Sequence, residues 1–202
     1  GKHFSAGADL NWMKRMSNCS HEENLKDASM LTTMLQKLNN LKYPTLAVIK
    51  GAAFGGGVGL ISCCDIALAS ENSIFSLSEV KVGLIPATIS PYVINAIGAR
   101  NARRLFTSGE RFDSNIAKQI NLVHEIAKEE DLEKRISYFI NHFKQNGPQA
   151  VIAAKKIVLD IFNKEIDDSV ISHTCEVISA LRTSKEGREG VTAFLEKRNP
   201  NW

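Results

Sequence analysis

The sequence predicts an α/β fold, and three features of it carry that prediction. Short apolar runs of strand character, Thr45-Leu-Ala-Val-Ile-Lys50, Asp65-Ile-Ala-Leu-Ala69 and Ser73-Ile-Phe-Ser-Leu77, recur through the first half. Between the first two lies an uncharged, glycine-opened stretch of helical length, so strands and helices alternate there. From Ser90 onward only helical periodicity is visible. The 202 residues, 44% of them apolar, suffice for one sizeable core with an appended helical part.

Taken in order, Phe4-Ser5-Ala6-Gly7-Ala8-Asp9 is a glycine-bearing turn. Asp9 suits a helix N-cap, with Leu10, Met13 and Lys14 following at helical spacing. Residues 22 to 41 place Leu25, Ala28, Leu31, Leu35, Leu38 and Leu41 three or four apart, which predicts an amphipathic helix ending before Tyr43-Pro44. The strand over 45–50 runs into Gly51-Ala-Ala-Phe-Gly-Gly-Gly-Val-Gly-Leu-Ile-Ser-Cys-Cys-Asp65. The next two strands flank Glu71-Asn72. In the second half, Leu132, Ile136, Phe139, Ile140 and Phe143 form one apolar stripe, Pro148 opens another helix, and 167–198 supplies the last pair. A boundary near Gly109 to Asp113 divides a strand-bearing part, 1–110, from a helical part, 111–202.

Several function classes are disfavoured by composition. A formal net charge of +3 is too weak a bias for a nucleic-acid or polybasic membrane surface, and Lys26, Lys37 and Lys42 are not clustered. No apolar run approaches the length of a membrane span, and no secretory signal is visible. The four cysteines, Cys19, Cys63, Cys64 and Cys175, lack metal-finger spacing; the adjacent pair in an apolar segment reads as reduced core residues of a cytoplasmic protein. His3, His21, His124, His142 and His173 have no paired metal spacing, and no serine sits in a GxSxG elbow, so neither a metal nor a triad is expected.

Chemistry is concentrated at Gly55-Gly-Gly57. Three glycines between a strand and a buried helix leave backbone N–H groups uncovered, the layout of an anion or oxyanion site. They read equally as a corner where a strand and a helix touch. No GxxxxGK[ST] or GxGxxG spacing is present, which makes a phosphate cradle the weaker reading. Glu79, in Leu77-Ser-Glu-Val80, is a carboxylate among apolar neighbours, suited to proton transfer or merely to a solvent-facing strand end.

The ordered segments FSAGADL, GAAFGGGVGLISCCD and SLSEVKVGLIPA, with the ending Glu186 to Arg198, resemble the crotonase superfamily of enoyl-CoA hydratases and isomerases over the whole chain. The resemblance implies a ββα spiral core with a C-terminal helical trimerisation region. It implies that the N–H groups of Ala8 and Gly56 form an oxyanion hole for a thioester carbonyl and that Glu79 is the catalytic acid/base. Substrate-binding positions implied in the same way are Ala6, Gly7 and Asp9 in the first turn, Gly55, Gly57 and Gly59 in the second, and Pro86 beyond the glutamate. Near the end, Phe194 matches a residue lining the acyl pocket, and Lys197 one reaching the coenzyme A phosphates. Coenzyme A enters as part of the substrate, with no separate cofactor. Family members carry several strands ahead of the first turn, so Gly1 to Phe4 is expected to be the run into that turn in a chain truncated at its N-terminus. A remnant of this kind that only oligomerises is the non-enzyme alternative.

One departure matters. Standard enoyl-CoA hydratases carry a second glutamate at the position of Gly59, so a single glutamate fits an isomerase as well as a hydratase. Ala87 stands where family dehalogenases and dienoyl isomerases place an aspartate, which argues against both. The runs HFSAGADLNWMKRM, GAAFGGGVGLISCCDIALAS, LSEVKVGLIPATISPYVINAIGARNARR and AFLEKRNPNW are similar to the branch of bacterial methylglutaconyl-CoA and carboxygeranoyl (isohexenylglutaconyl)-CoA hydratases. In that branch a small residue at Gly59 is expected to open space beside Cβ of a branched substrate, with Thr88 and Ser90 as candidates to receive its distal carboxylate or, otherwise, as turn caps.

Overall fold

Pairs of short strands joined at tight corners set the pattern of the first half. In the computed structural model, which describes all of residues 1–202, helices α1 (Leu10–Met16) and α2 (His21–Asn39) precede strand β1 (Leu46–Ile49). The chain turns at Gly51, φ +61°, into β2 (Ala52–Phe54). A Cβ on Gly51 would stand 2.6 Å from Nδ1 of His3, so the corner closes only around glycine. Helix α3 (Gly56–Ser62) follows, then β3 (Ile66–Ser70), a second corner, and β4 (Ile74–Ser76).

Each strand pair stacks on its predecessor. β1 runs parallel to β3 with Leu46 opposite Ile66, and β2 runs parallel to β4 with Ala52 opposite Ile74. Strand, corner, strand and helix therefore repeat as successive turns of a ββα spiral, the architecture implied by the resemblance. The second corner is fastened to the first turn by buried Ser73, whose Oγ donates to the carbonyl of Ile49 at 3.1 Å. Ile49, Leu68, Phe75, Leu77, Leu35 and Val93 are fully covered; burying side chains of this size is worth roughly 1.5–3 kcal/mol each.

Beyond β4 the chain makes one 3-10 turn (Glu79–Val82) and enters α4 (Ser90–Ser108), which kinks at Gly98, φ 75°. The sequence predicts only helices from Ser90 on, and here the structure differs. β5 (Arg111–Asp113) pairs antiparallel with β4, α5 (Ser114–Gln119) follows, and β6 (Glu125–Ala127) pairs parallel with β3. Both strands are three residues long, too short for alternation to register, and they are defined by their partners. Phe112, for instance, stacks on Phe75 with ring centroids 5.5 Å apart. The first compact unit accordingly comprises 1–41 with 45–135, extending past the expected boundary at 110.

Helix α6 (Leu132–Gln145) begins in that unit and continues into the second, 136–202 with 42–44, which holds α7 (Pro148–Ile161), α8 (Asp168–Thr183) and α9 (Lys185–Leu195). Side chains cap the last two helices: Asp167 accepts from the Val170 N–H at 2.9 Å, and Ser184 from the Gly187 N–H at 2.9 Å. The Glu186 carboxylate takes the N–H groups of Gln149 and Ala150, at 2.9 and 2.8 Å, binding the start of α7 to α9. No helix in the chain is long and apolar enough to cross a membrane.

Candidate active site

Gly55 sets the site's geometry. Its N–H donates to the carbonyl of Ser76 at 2.9 Å, tying the end of β2 to β4, and its φ of 52° with ψ of −117° turns the chain sharply into α3. Its carbonyl accepts from the N–H groups of Val58 and Gly59, at 2.9 and 3.3 Å. The intervening N–H groups, of Gly56 and Gly57, donate to no protein acceptor. Free donors at a helix start carry partial positive charge and attract an oxyanion.

Glu79 is brought to this turn by buried Leu77 and by the 3-10 turn that Glu79 opens. Its Oε1 lies 2.9 Å from where a Cβ on Gly55 would stand, so the carboxylate rests against the bare face of that glycine. Its Oε2 is buried without a hydrogen-bond partner. Burial pushes the carboxyl above the ordinary glutamate range, and a hydrogen bond from its own backbone offsets this only in part. An orphaned carboxylate oxygen is costly, and such costs are found where a group must exchange protons.

A stability consequence follows from the direction of that shift. Because the folded-state pKa exceeds the unfolded one, the native protein binds the extra proton, and stability falls as pH rises through the window above 4.5, the ordinary value. Glu79→Gln removes the burden. We expect the variant to melt above the wild type at neutral pH, with the gain vanishing below about pH 4.5, as read by thermal melts across pH.

The first turn reaches the same place through Ser5. The Ser5 N–H donates to the Ala52 carbonyl at 3.0 Å and its carbonyl accepts from Phe54 N–H at 2.9 Å, a parallel bridge to β2 opposite Ala53. Its Cβ lies 2.7 Å from the position a Cβ on Gly57 would take, so these residues meet only because 57 is glycine. From there Ala6, Gly7 (φ +106°), Ala8 and Asp9 form an exposed loop, and the N–H of Ala8 has no protein acceptor. Asp9 is engaged as the cap of α1, accepting from Trp12 N–H at 2.7 Å.

Gly59 differs from expectation. It is buried, and a Cβ built on it would run into Ile89, 2.6 Å from that residue's Cβ. The space beside Gly59 is therefore filled by Ile89 and does not stand open for a substrate branch. Pro86 is buried in the loop leading there, and Ser90 donates its hydroxyl to the Ala87 carbonyl at 2.8 Å, a turn-closing role. Phe194 and Lys197 belong to the second unit. Phe194 is exposed on α9, and Lys197, φ +55°, follows the helix with its N–H on the Phe194 carbonyl at 3.2 Å.

Glu79 thus meets Gly55, and Ser5, at the start of the first turn, meets Gly57 two residues further on, whereas Asp9 caps a helix and Gly59 faces Ile89. Sequence reasoning missed Ser5 and Ile89. The only signal for either was its position, beside the first glycine turn and between Thr88 and Ser90.

A half-buried carboxylate with one covered, unpartnered oxygen rests against Gly55, the residue that precedes two free main-chain donors. The chain belongs to the enoyl-CoA hydratase/isomerase family, whose model matches residues 1–202. It is similar to the crystal structure of an enoyl-CoA hydratase from Shewanella pealeana, at TM-score 0.96 and 46% identity, covering 100% of this chain and 76% of that one. It is similar also to a putative enoyl-CoA hydratase/isomerase (crotonase) from Legionella pneumophila, at TM-score 0.93 and 46% identity, covering 100% and 78%. A putative enoyl-CoA hydratase of Thermus thermophilus is 29% identical over 203 residues, 100% of this chain and 79% of that protein.

Proposed function

We propose that this chain adds water reversibly across the double bond of a 2-enoyl-CoA thioester of branched glutaconyl type, 3-methylglutaconyl-CoA or a related acid. The observation that carries the reading is the Glu79 carboxylate, unpaired at Oε2 and lying against Gly55 at the start of α3. Glu79 takes a proton from water as its oxygen attacks Cβ, and the C=C electrons move onto the thioester oxygen. The N–H groups of Ala8 and Gly56 hold that oxyanion. The enolate then collapses, and Cα takes the proton from Glu79, so one water is added and the carboxylate is restored. Donors placed where charge develops stabilise the transition state above the ground state, and losing one typically costs about 10²–10³ in rate.

The branched acyl group rests on the likeness of the runs around Phe4, Glu79 and Phe194 to that branch of the family. In the same reading Ala6, Gly7 and Pro86 shape the acyl channel. Coenzyme A arrives with the substrate, and the compartment is the cytoplasm, where free Cys63 and Cys64 stay reduced. The test is kcat/KM on 3-methylglutaconyl-CoA against crotonyl-CoA. A preference of at least about 10-fold for the branched acid supports the reading, and a preference for crotonyl-CoA overturns its substrate.

Isomerisation is the second reading, favoured by one observation: Gly59 supplies no carboxylate, and Ile89 fills its place. Glu79 would then carry a single proton between Cα and Cγ. Assembly as a trimer, or a pair of trimers, belongs to the main reading. The second unit exposes Ile166, Phe194, Leu195, Val191 and Val158, more apolar surface than a lone unit of its size ordinarily leaves in water. Light scattering at micromolar concentration is expected to give a multiple of three, and a stable monomer would contradict it.

A further inference from the structure

Gly59 lies in the first turns of α3 and Ile89 immediately ahead of α4, thirty positions apart in sequence and in contact in space. Both are buried, Ile89 to 2% exposure. A Cβ on residue 59 would meet not only the flexible end of the isoleucine but its Cβ, at 2.6 Å. Real Cβ atoms do not approach so closely, and a Cβ cannot move without its backbone. The two positions therefore share the volume of one side chain.

We propose that Ile89 is the specificity-determining residue of this site: by occupying the shared volume it keeps any side chain, and above all a second carboxylate, off position 59, leaving Glu79 as the sole acid/base. Ile89 has ordinary right-handed backbone, φ −91° and ψ −14°, so its side chain can be removed down to glycine without altering the local conformation demanded of the residue. The functional half of this inference rests on the reading of Glu79 as the proton-transfer group; the packing half does not.

The geometry makes an uncommon demand on the rescue. Gly59→Ala is expected to lower the melting temperature by about 5 °C or more, the scale of an overpacked core. Adding Ile89→Ala should fail to relieve it, because the clashing Cβ remains. Adding Ile89→Gly should relieve it, so that the Gly59→Ala/Ile89→Gly pair melts at or above Ile89→Gly alone. Equal tolerance of Gly59→Ala in the wild type and in Ile89→Gly overturns the shared volume, whatever the reaction is.

Activity is read on the pair Gly59→Glu/Ile89→Gly, with folding checked by its melt. On crotonyl-CoA the inference expects at least about a 10-fold rise in water addition over Ile89→Gly alone, as the introduced carboxylate joins Glu79. Gly59→Glu in the wild-type background should be unstable and inactive. A folded pair with no gain in water addition overturns the assignment of Ile89 as specificity determinant while leaving the packing result standing. If Glu79→Gln also leaves wild-type turnover intact, the fault lies in the proposed function and not in this pair.

Discussion

Glu79→Gln is expected to lower turnover of 3-methylglutaconyl-CoA, the proposed substrate, by at least about 10²-fold while leaving thioester binding little changed. Gln keeps the volume and one acceptor oxygen but cannot take or give the proton, and a positioned acid/base contributes roughly 10²–10⁴ in rate. Effects on kcat without matching effects on KM separate this from a packing fault. The buried, unpartnered Oε2 adds a second signature: the same substitution that removes activity raises the melting temperature at neutral pH. A residue that merely filled space would not combine the two. Steady-state kinetics beside thermal melts measure both, and near-wild-type turnover in the variant would remove Glu79 from the mechanism.

Gly55→Ala is expected to damage activity and stability together. At φ 52° and ψ −117° an L side chain is strained, at about 1–3 kcal/mol for a residue forced into such a region. The added methyl would stand 2.9 Å from Oε1 of Glu79, and the carboxylate, the far end of a flexible side chain, gives way before the backbone does. Displacing a reacting group by about 1 Å costs on the order of 10²-fold in rate. Gly55→Ala thus melts lower than the wild type and Glu79→Gln higher, although both lose turnover. If Gly55→Ala retains full kcat, the contact between this glycine and the carboxylate has no part in the reaction.

Much of this site was legible in the sequence because its parts are local. Asp9 caps α1 with its side chain, as a short polar residue ahead of apolar periodicity should. The glycine run was readable as either a site or a close-packed corner, and it proves to be both: Gly57 admits Ser5, while Gly55 admits Glu79 and frees the donors that follow. What could not be read is what depends on distant partners. β5 and β6 exist because β4 and β3 offer open edges, and their three residues carry no periodicity of their own. The empty space expected beside Gly59 failed for the same reason. A missing side chain shows where volume is withheld, but only the fold shows that Ile89 takes it.

The central claim is that a single carboxylate, Glu79, adds water to the enoyl thioester bound at the glycine turn. Its most direct test is the mass of the product formed by the wild-type protein from 3-methylglutaconyl-CoA in heavy-oxygen water. The account predicts a thioester heavier by one labelled water, with the label at Cβ, and its loss in Glu79→Gln. A product of unchanged mass with its double bond moved would contradict hydration and leave isomerisation in its place.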